Sequence, residues 1–160
     1  MSKIFKFHND VDTDQIIASQ YLLLPNIEEM KGYTFESLDE NFAKDVQAGD
    51  IIVAGENFGC GSSREQAPSV LKALGVKAVV AKSFARIFYR NAINIGLPIL
   101  EHPTLPDECN KGENLSFDLA TGFIKNNTTG KEYQCEKFPV EIQKLVNAGG
   151  LIQYTKEKLK

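Results

Sequence analysis

Asp50-Ile51-Ile52-Val53-Ala54-Gly55 and Val76-Lys77-Ala78-Val79-Val80-Ala81 decide the fold. The first is a continuous apolar run, as a strand covered on both faces of a parallel sheet should be, and the second reads as another strand. Between them lie a glycine-rich loop, Gly59-Cys60-Gly61, then Ser62-Ser63-Arg64-Glu65 and a helix with Ala67, Val70, Leu71 and Leu74 on one face. Gly75 suits the end of that helix. After the second strand, Ser83 is placed to cap a helix running through Ile93. Gly96-Leu97-Pro98-Ile99-Leu100 then returns to extended chain. Strand–helix–strand–helix–strand in this order predicts parallel pairing through right-handed crossovers.

Upstream, Ile4 to Phe7 reads as a short strand, ended by the polar run Asn9-Asp10-Val11-Asp12-Thr13-Asp14. Asp10, Asp12 and Asp14 repel one another, so the run should be exposed or pinned by cations. Ile16-Ile17 and Tyr21-Leu22-Leu23-Leu24 follow, stopped by Pro25, and Asn26 to Gln47 is helical in pieces, with Phe35, Leu38, Phe42 and Val46 at helical intervals. Downstream, Leu115 to Leu119, Gly122 to Lys125 and Glu132 to Cys135 read as antiparallel strands, with turns at Thr121-Gly122 and Thr129-Gly130. Pro139 starts a last helix with Ile142, Leu145 and Val146 inward, closed by Gly149-Gly150. The expectation is a mixed α/β fold with a parallel core, an appended antiparallel hairpin region, and one domain spanning residues 1–160.

Of the 160 residues, 42% are hydrophobic and 24% charged, as in a soluble globular protein. Lys and Arg number 18 against 21 Asp and Glu, a net charge of −3. Such a balance excludes a general nucleic-acid binder, which needs a clustered cationic face. Lys156, Lys158 and Lys160 read as a solvated tail. The opening residues lack the apolar core of a signal peptide, and no run approaches the ~18 apolar residues that cross a bilayer. Cys60, Cys109 and Cys135 are odd in number and widely spaced, which suits a reducing cytoplasm. With no Cys-x-x-Cys and no Cys/His pair at ligand spacing, no zinc or iron–sulfur cluster is expected on this chain.

Chemistry concentrates in Gly55-Glu56-Asn57-Phe58-Gly59-Cys60-Gly61-Ser62-Ser63-Arg64-Glu65. Glycines let a backbone approach a ligand. The N–H groups opening a helix favour an anion, and Arg64 offers a planar fork for a carboxylate. A hydroxyl, Ser62 or Ser63, would sit beside that carboxylate. Ser62-x-x-Glu65 is equally a capping box, which needs no function. The segment is neither a phosphate-binding P-loop nor a nucleophile elbow. Asp12-Thr13-Asp14-Gln15 is either a second functional cluster or a solvated turn. His8 and His102 read as structural, and nothing orients either for a Ser-His-Asp hydrolase. Asn126-Asn127-Thr128 matches the glycosylation pattern by chance and marks a polar turn.

Three segments occur in order: Val11-Asp12-Thr13-Asp14-Gln15-Ile16-Ile17, Asn57 to Glu65, and Lys82-Ser83-Phe84-Ala85-Arg86-Ile87-Phe88-Tyr89-Arg90-Asn91. Together they resemble the small subunits of the 3-isopropylmalate dehydratase family, the swivelling β/β/α domain shared with aconitase and homoaconitase. The resemblance runs from about Phe5 to Glu101 and more loosely beyond. It implies a domain that closes over a separate large subunit carrying a four-iron four-sulfur cluster. It also implies roles: Ser62 as catalytic base, Arg64 as clamp for a substrate carboxylate, Ser63 supporting the loop, and Asp14 as an active-site aspartate. The substrate would be a small hydroxy-dicarboxylate, isomerised by dehydration and rehydration in leucine biosynthesis.

In tricarboxylate-using relatives an arginine follows the first aspartate motif. Here that loop reads Gln20-Tyr21-Leu22-Leu23-Leu24-Pro25. Burying an isopropyl group there would gain roughly 1.5–3 kcal/mol, and burying an unpaired carboxylate would cost several kcal/mol. Leu23 is therefore the expected substrate contact and isopropylmalate the expected substrate, although Leu22 to Leu24 could equally be packing. A homoaconitate or citraconate/methylmalate hydro-lyase subunit, and a non-catalytic carboxylate-binding regulatory module, remain the alternatives.

Overall fold

The computed structural model describes residues 2–135, 140–150 and 155–156. In chain order its strands are β1 (Ile4–Lys6), β2 (Ile51–Ala54), β3 (Ala78–Ala81), β4 (Ile99–Glu101), β5 (Leu115–Asp118), β6 (Phe123–Asn126) and β7 (Glu132–Gln134). Its helices are α1 (Thr13–Ile16), α2 (Ile27–Met30), α3 (Phe42–Asp45), α4 (Gln66–Ala73), α5 (Arg86–Ile95), α6 (Leu105–Glu108) and α7 (Val140–Ala148).

Strands β1 to β4 form one parallel sheet in sequence order, in register at Ile4–Ile51, Ile51–Ala78 and Val79–Ile99. Every residue of β2 and β3 is buried, the burial expected of continuous apolar runs covered on both faces. The segment between β1 and β2 carries only short helical pieces, and Phe35 and Phe42 pack against Phe5 and Phe7 of the first strand region. Strands β5 to β7 form the separate antiparallel sheet, with Gly122 and Gly130 at positive φ in its turns, where a side chain would be strained. One continuous core joins residues of both sheets, from Ile51 and Val80 to Leu115 and Ile124.

At two helix starts the structure decides a capping question, closing the open alternative at Ser62 and correcting the expected cap at Ser83. Helix α4 begins at Gln66, and its cap residue Glu65 makes no side-chain capping bond, so Ser62 is not a cap. Ser62 to Arg64 run as open loop, and the capping box of this region is instead Asp12–Gln15 at the start of α1. Likewise α5 begins after Ala85, not Ser83. The Ser83 hydroxyl accepts a bond from the Asn57 N–H at 2.8 Å and so serves the neighbouring loop. Pro139, the expected start of the last helix, and the tail residues Lys158 and Lys160 lie outside the described residues.

Candidate active site

A parallel sheet brings the carboxyl ends of its strands to one side, so the loops after β1, β2 and β3 meet although they are remote in sequence. Their backbones continue the strand pairing: Gly59 N–H donates to Val11 O at 2.7 Å, Thr13 N–H to Cys60 O at 2.8 Å, and Phe58 N–H to Ser83 O at 3.0 Å. Phe58, fully buried, packs edge-on to Phe84 and Phe88 and forms the apolar floor beneath these loops.

Two glycines are required by this closeness. A β-carbon on Gly59 would lie 2.3 Å from the Phe88 ring, and one on Gly61 2.5 Å from the Asp12 carboxylate. Both glycines also sit at positive φ. Asn57 and Asp10, at positive φ too, face one another, with the Asn57 amide donating to Asp10 Oδ1 at 3.2 Å. Residue types that tolerate this conformation occupy both positions.

Arg64 is the hub. Its Nη1 donates to Asp14 Oδ1 and to the Ile17 carbonyl, both at 2.9 Å. The Arg64 side chain is 14% exposed and the Asp14 side chain 59%. A guanidinium carries five N–H donors, so one anchored nitrogen leaves the opposite edge to meet a second carboxylate. The Arg64 hydrogen bond, helped by the Ser19 N–H, holds the Asp14 carboxyl below its ordinary range. Of the three clustered aspartates, Asp14 takes this cation. Asp12 accepts from the Asp14 N–H at 2.7 Å, and Asp10 from Asn57.

A cavity of about 190 Å³ opens beside the loop, lined by Thr13, Ser62, Ser63, Arg64, Arg86 and Ile87 among others. The structure therefore brings Ser62, Ser63 and Arg64 together, with both serines exposed. Asp14 lines the adjoining hollow of about 230 Å³, with Gln15, Tyr33 and Glu36, and Arg64 links the two. Leu23 is placed elsewhere: it ends a short helical turn at 90% exposure and lines neither hollow. The apolar side chains on the cavity wall are Ala85, Ile87 and Phe88, and of these Ile87 is 51% exposed. Sequence reading named Thr13 only within the Asp12–Gln15 cluster and Arg86 and Ile87 only within the third segment, and gave none of the three a role. Two of them carried a signal, since Thr13 follows a capping residue and Arg86 opens a helix that starts beside the loop.

Residues 7–104 match the aconitase C-terminal domain family. The chain belongs to this family. Over 98% of its length it is 54% identical to the 3-isopropylmalate dehydratase small subunit of Aquifex aeolicus, covering 94% of that protein. The corresponding small subunit of Thermodesulfovibrio yellowstonii is 50% identical, at the same two coverages. The crystal structure of 3-isopropylmalate dehydratase from Methanocaldococcus jannaschii superposes with a TM-score of 0.92 at 46% identity, covering 98% of this chain and 93% of that one. As a member of this family the chain is a subunit of a dehydratase, a hydro-lyase.

An iron–sulfur cluster is held by thiolates gathered in one place, and Cys60, Cys109 and Cys135 belong to no such group among the described residues. Burial pushes the Cys109 thiol up and that of Cys135 up to about 11. Cys60, in the glycine loop, is raised by burial and then by the charges of Asp12 and Asp10. Among the described residues no group of three or more His, Cys, Asp or Glu is placed to hold a metal ion. No helix among them is long and apolar enough to cross a membrane.

Proposed function

We propose that the chain is the small subunit of a 3-isopropylmalate dehydratase that interconverts 2-isopropylmalate and 3-isopropylmalate in leucine biosynthesis, active in the cytoplasm with a large subunit. The observation that carries this reading is the cavity shared by Ser62, Ser63, Arg64 and Arg86. It gathers two exposed hydroxyls and two cations in a space suited to a small dicarboxylate. The iron–sulfur cluster that the family resemblance implies belongs to the partner in this reading, as does the chemistry of the departing hydroxide.

This chain's share is proton transfer and binding. The proton removed lies next to a carboxylate and is weakly acidic, and a serine hydroxyl is a poor base unless its oxygen is held as an anion. Arg64, Arg86 and the loop N–H groups supply the positive potential that favours this anion and the negative charge growing on the substrate carboxylate. Ser62 takes the proton, the hydroxyl leaves the neighbouring carbon, and an alkene remains bound. Return of the hydroxide to the carbon that lost the proton, while Ser62 gives that proton to the carbon that lost the hydroxyl, completes the isomerisation. Arg64 orients the substrate through the guanidinium edge not used on Asp14 and Ile17.

Anaerobic mixing with a large subunit, followed by assay on 3-isopropylmalate, citraconate and homocitrate, tests the reading. Turnover of 3-isopropylmalate above the other two acids is expected. Preference for homocitrate, or binding without turnover of any acid, would overturn it.

A further inference from the structure

Thr13 is one of the few buried polar residues, 2% exposed, and it lies on the cavity wall. It grips the glycine loop at two points on either side of Gly61. Its N–H donates to Cys60 O and its Oγ1–H to Ser62 O, each at 2.8 Å. Its own conformation is held by the capping box around it: Asp14 N–H donates to Asp12 Oδ1 at 2.7 Å, and Asp12 N–H to Gln15 Oε1 at 3.0 Å. Gly61, between the two gripped carbonyls, sits at φ 93° with no side chain to restrict it. The hydroxyl bond acts directly on the Ser62 carbonyl, next to a glycine whose backbone is free of side-chain restriction.

We propose that Thr13 is a positioning residue for Ser62, an inference that rests on the proposed role of Ser62 in proton transfer. The bond to Ser62 O fixes the plane of the Ser62–Ser63 peptide. Because that peptide is planar and trans, the Ser63 N–H is fixed pointing away from Thr13. One hydroxyl thereby sets both the place of the Ser62 side chain and the direction of the next N–H, a donor for the anion formed beside it. Preorganisation of this kind acts on the transition state more than on ground-state binding.

The test uses the reconstituted complex with wild-type, Thr13→Val and Thr13→Ser small subunits. Thr13→Val keeps the shape and removes the donor. It should lower kcat about 10- to 100-fold with KM within about threefold, the range for losing a group that orients a reacting residue. Thr13→Ser restores the donor and should recover most of kcat. Should Thr13→Val fail to fold, Thr13→Ala takes its place as the donor-free variant, with kcat referred to folded complex. Donor-free and wild-type complexes of equal kcat would overturn the inference alone. So would equal losses in Thr13→Ser and the donor-free variant, or a loss confined to KM or subunit association. A wild-type complex inactive on 3-isopropylmalate would overturn the proposed function, and this inference with it.

Discussion

Arg64 makes an ion pair with Asp14 and a bond to the Ile17 carbonyl from one nitrogen, and it also lines the cavity. Arg64→Lys would keep the charge and lose the fork, and the two groups are not equivalent at a bidentate site. The expected result is a KM raised about tenfold or more, in line with about 1.5–3 kcal/mol for a charge-assisted bond, and kcat changed less; steady-state kinetics of the complex check it. Ser62→Ala should remove most turnover while leaving association with the large subunit intact, which gel filtration with a parallel assay reads directly. Asp14 behaves differently with pH. Its bonds to Arg64 and the Ser19 N–H lower the folded-state pKa below the ordinary 3.8. The pair is thus complete above that ordinary value and is lost as pH falls through the lowered one. With more than half of the Asp14 side chain exposed, solvent screens its effect on stability. Asp14→Asn should therefore raise KM without changing the shape of the KM–pH profile between about pH 5 and 9. A new inflection in that window would contradict the assignment.

The short elements around the site owe their geometry to contacts between loops. Gly61→Ala places a β-carbon against the Asp12 carboxylate at a positive φ. Strain of that kind costs roughly 1–3 kcal/mol, and at about 2–4 °C per kcal/mol for this size the thermal midpoint should fall by several degrees; a thermal melt with an unchanged midpoint would refute the packing described. The strands of the parallel sheet and of the hairpin region were legible because hydrophobic period and turn glycines act over neighbouring residues. The two capping assignments were not. Ser62 and Ser83 have the right chemistry for helix caps, but long-range pairing claims them: Ser62 O is held by Thr13, and the Ser83 hydroxyl by Asn57. The pairing of Arg64 with Asp14, fifty residues apart, is similarly a product of strand order, which no local pattern encodes. Gly59-Cys60-Gly61-Ser62-Ser63-Arg64 was recognisable as a site by residue type. Ile87 was not, since an isoleucine at a helix start reads as core until the fold shows it half exposed.

For the molecule as a whole, the placement of Leu23 is the feature that an isolated chain does not explain. Leu23 is 90% exposed, and burying a leucine gains roughly 1.5–3 kcal/mol, which favours its being covered in the complex that the proposed function calls for. Leu23→Arg should then shift preference from 3-isopropylmalate toward a tricarboxylate, by a change in the ratio of kcat/KM values. An unchanged ratio would remove this loop from substrate selection. The central claim is that the chain supplies one half of an active centre, the proton-transferring and carboxylate-binding half. The most direct measurement is the rate of 2-isopropylmalate to 3-isopropylmalate conversion by this subunit alone, by the large subunit alone and by the two mixed without oxygen. Activity in the mixture only is predicted. Conversion by this chain alone, or none in the mixture, would contradict the claim.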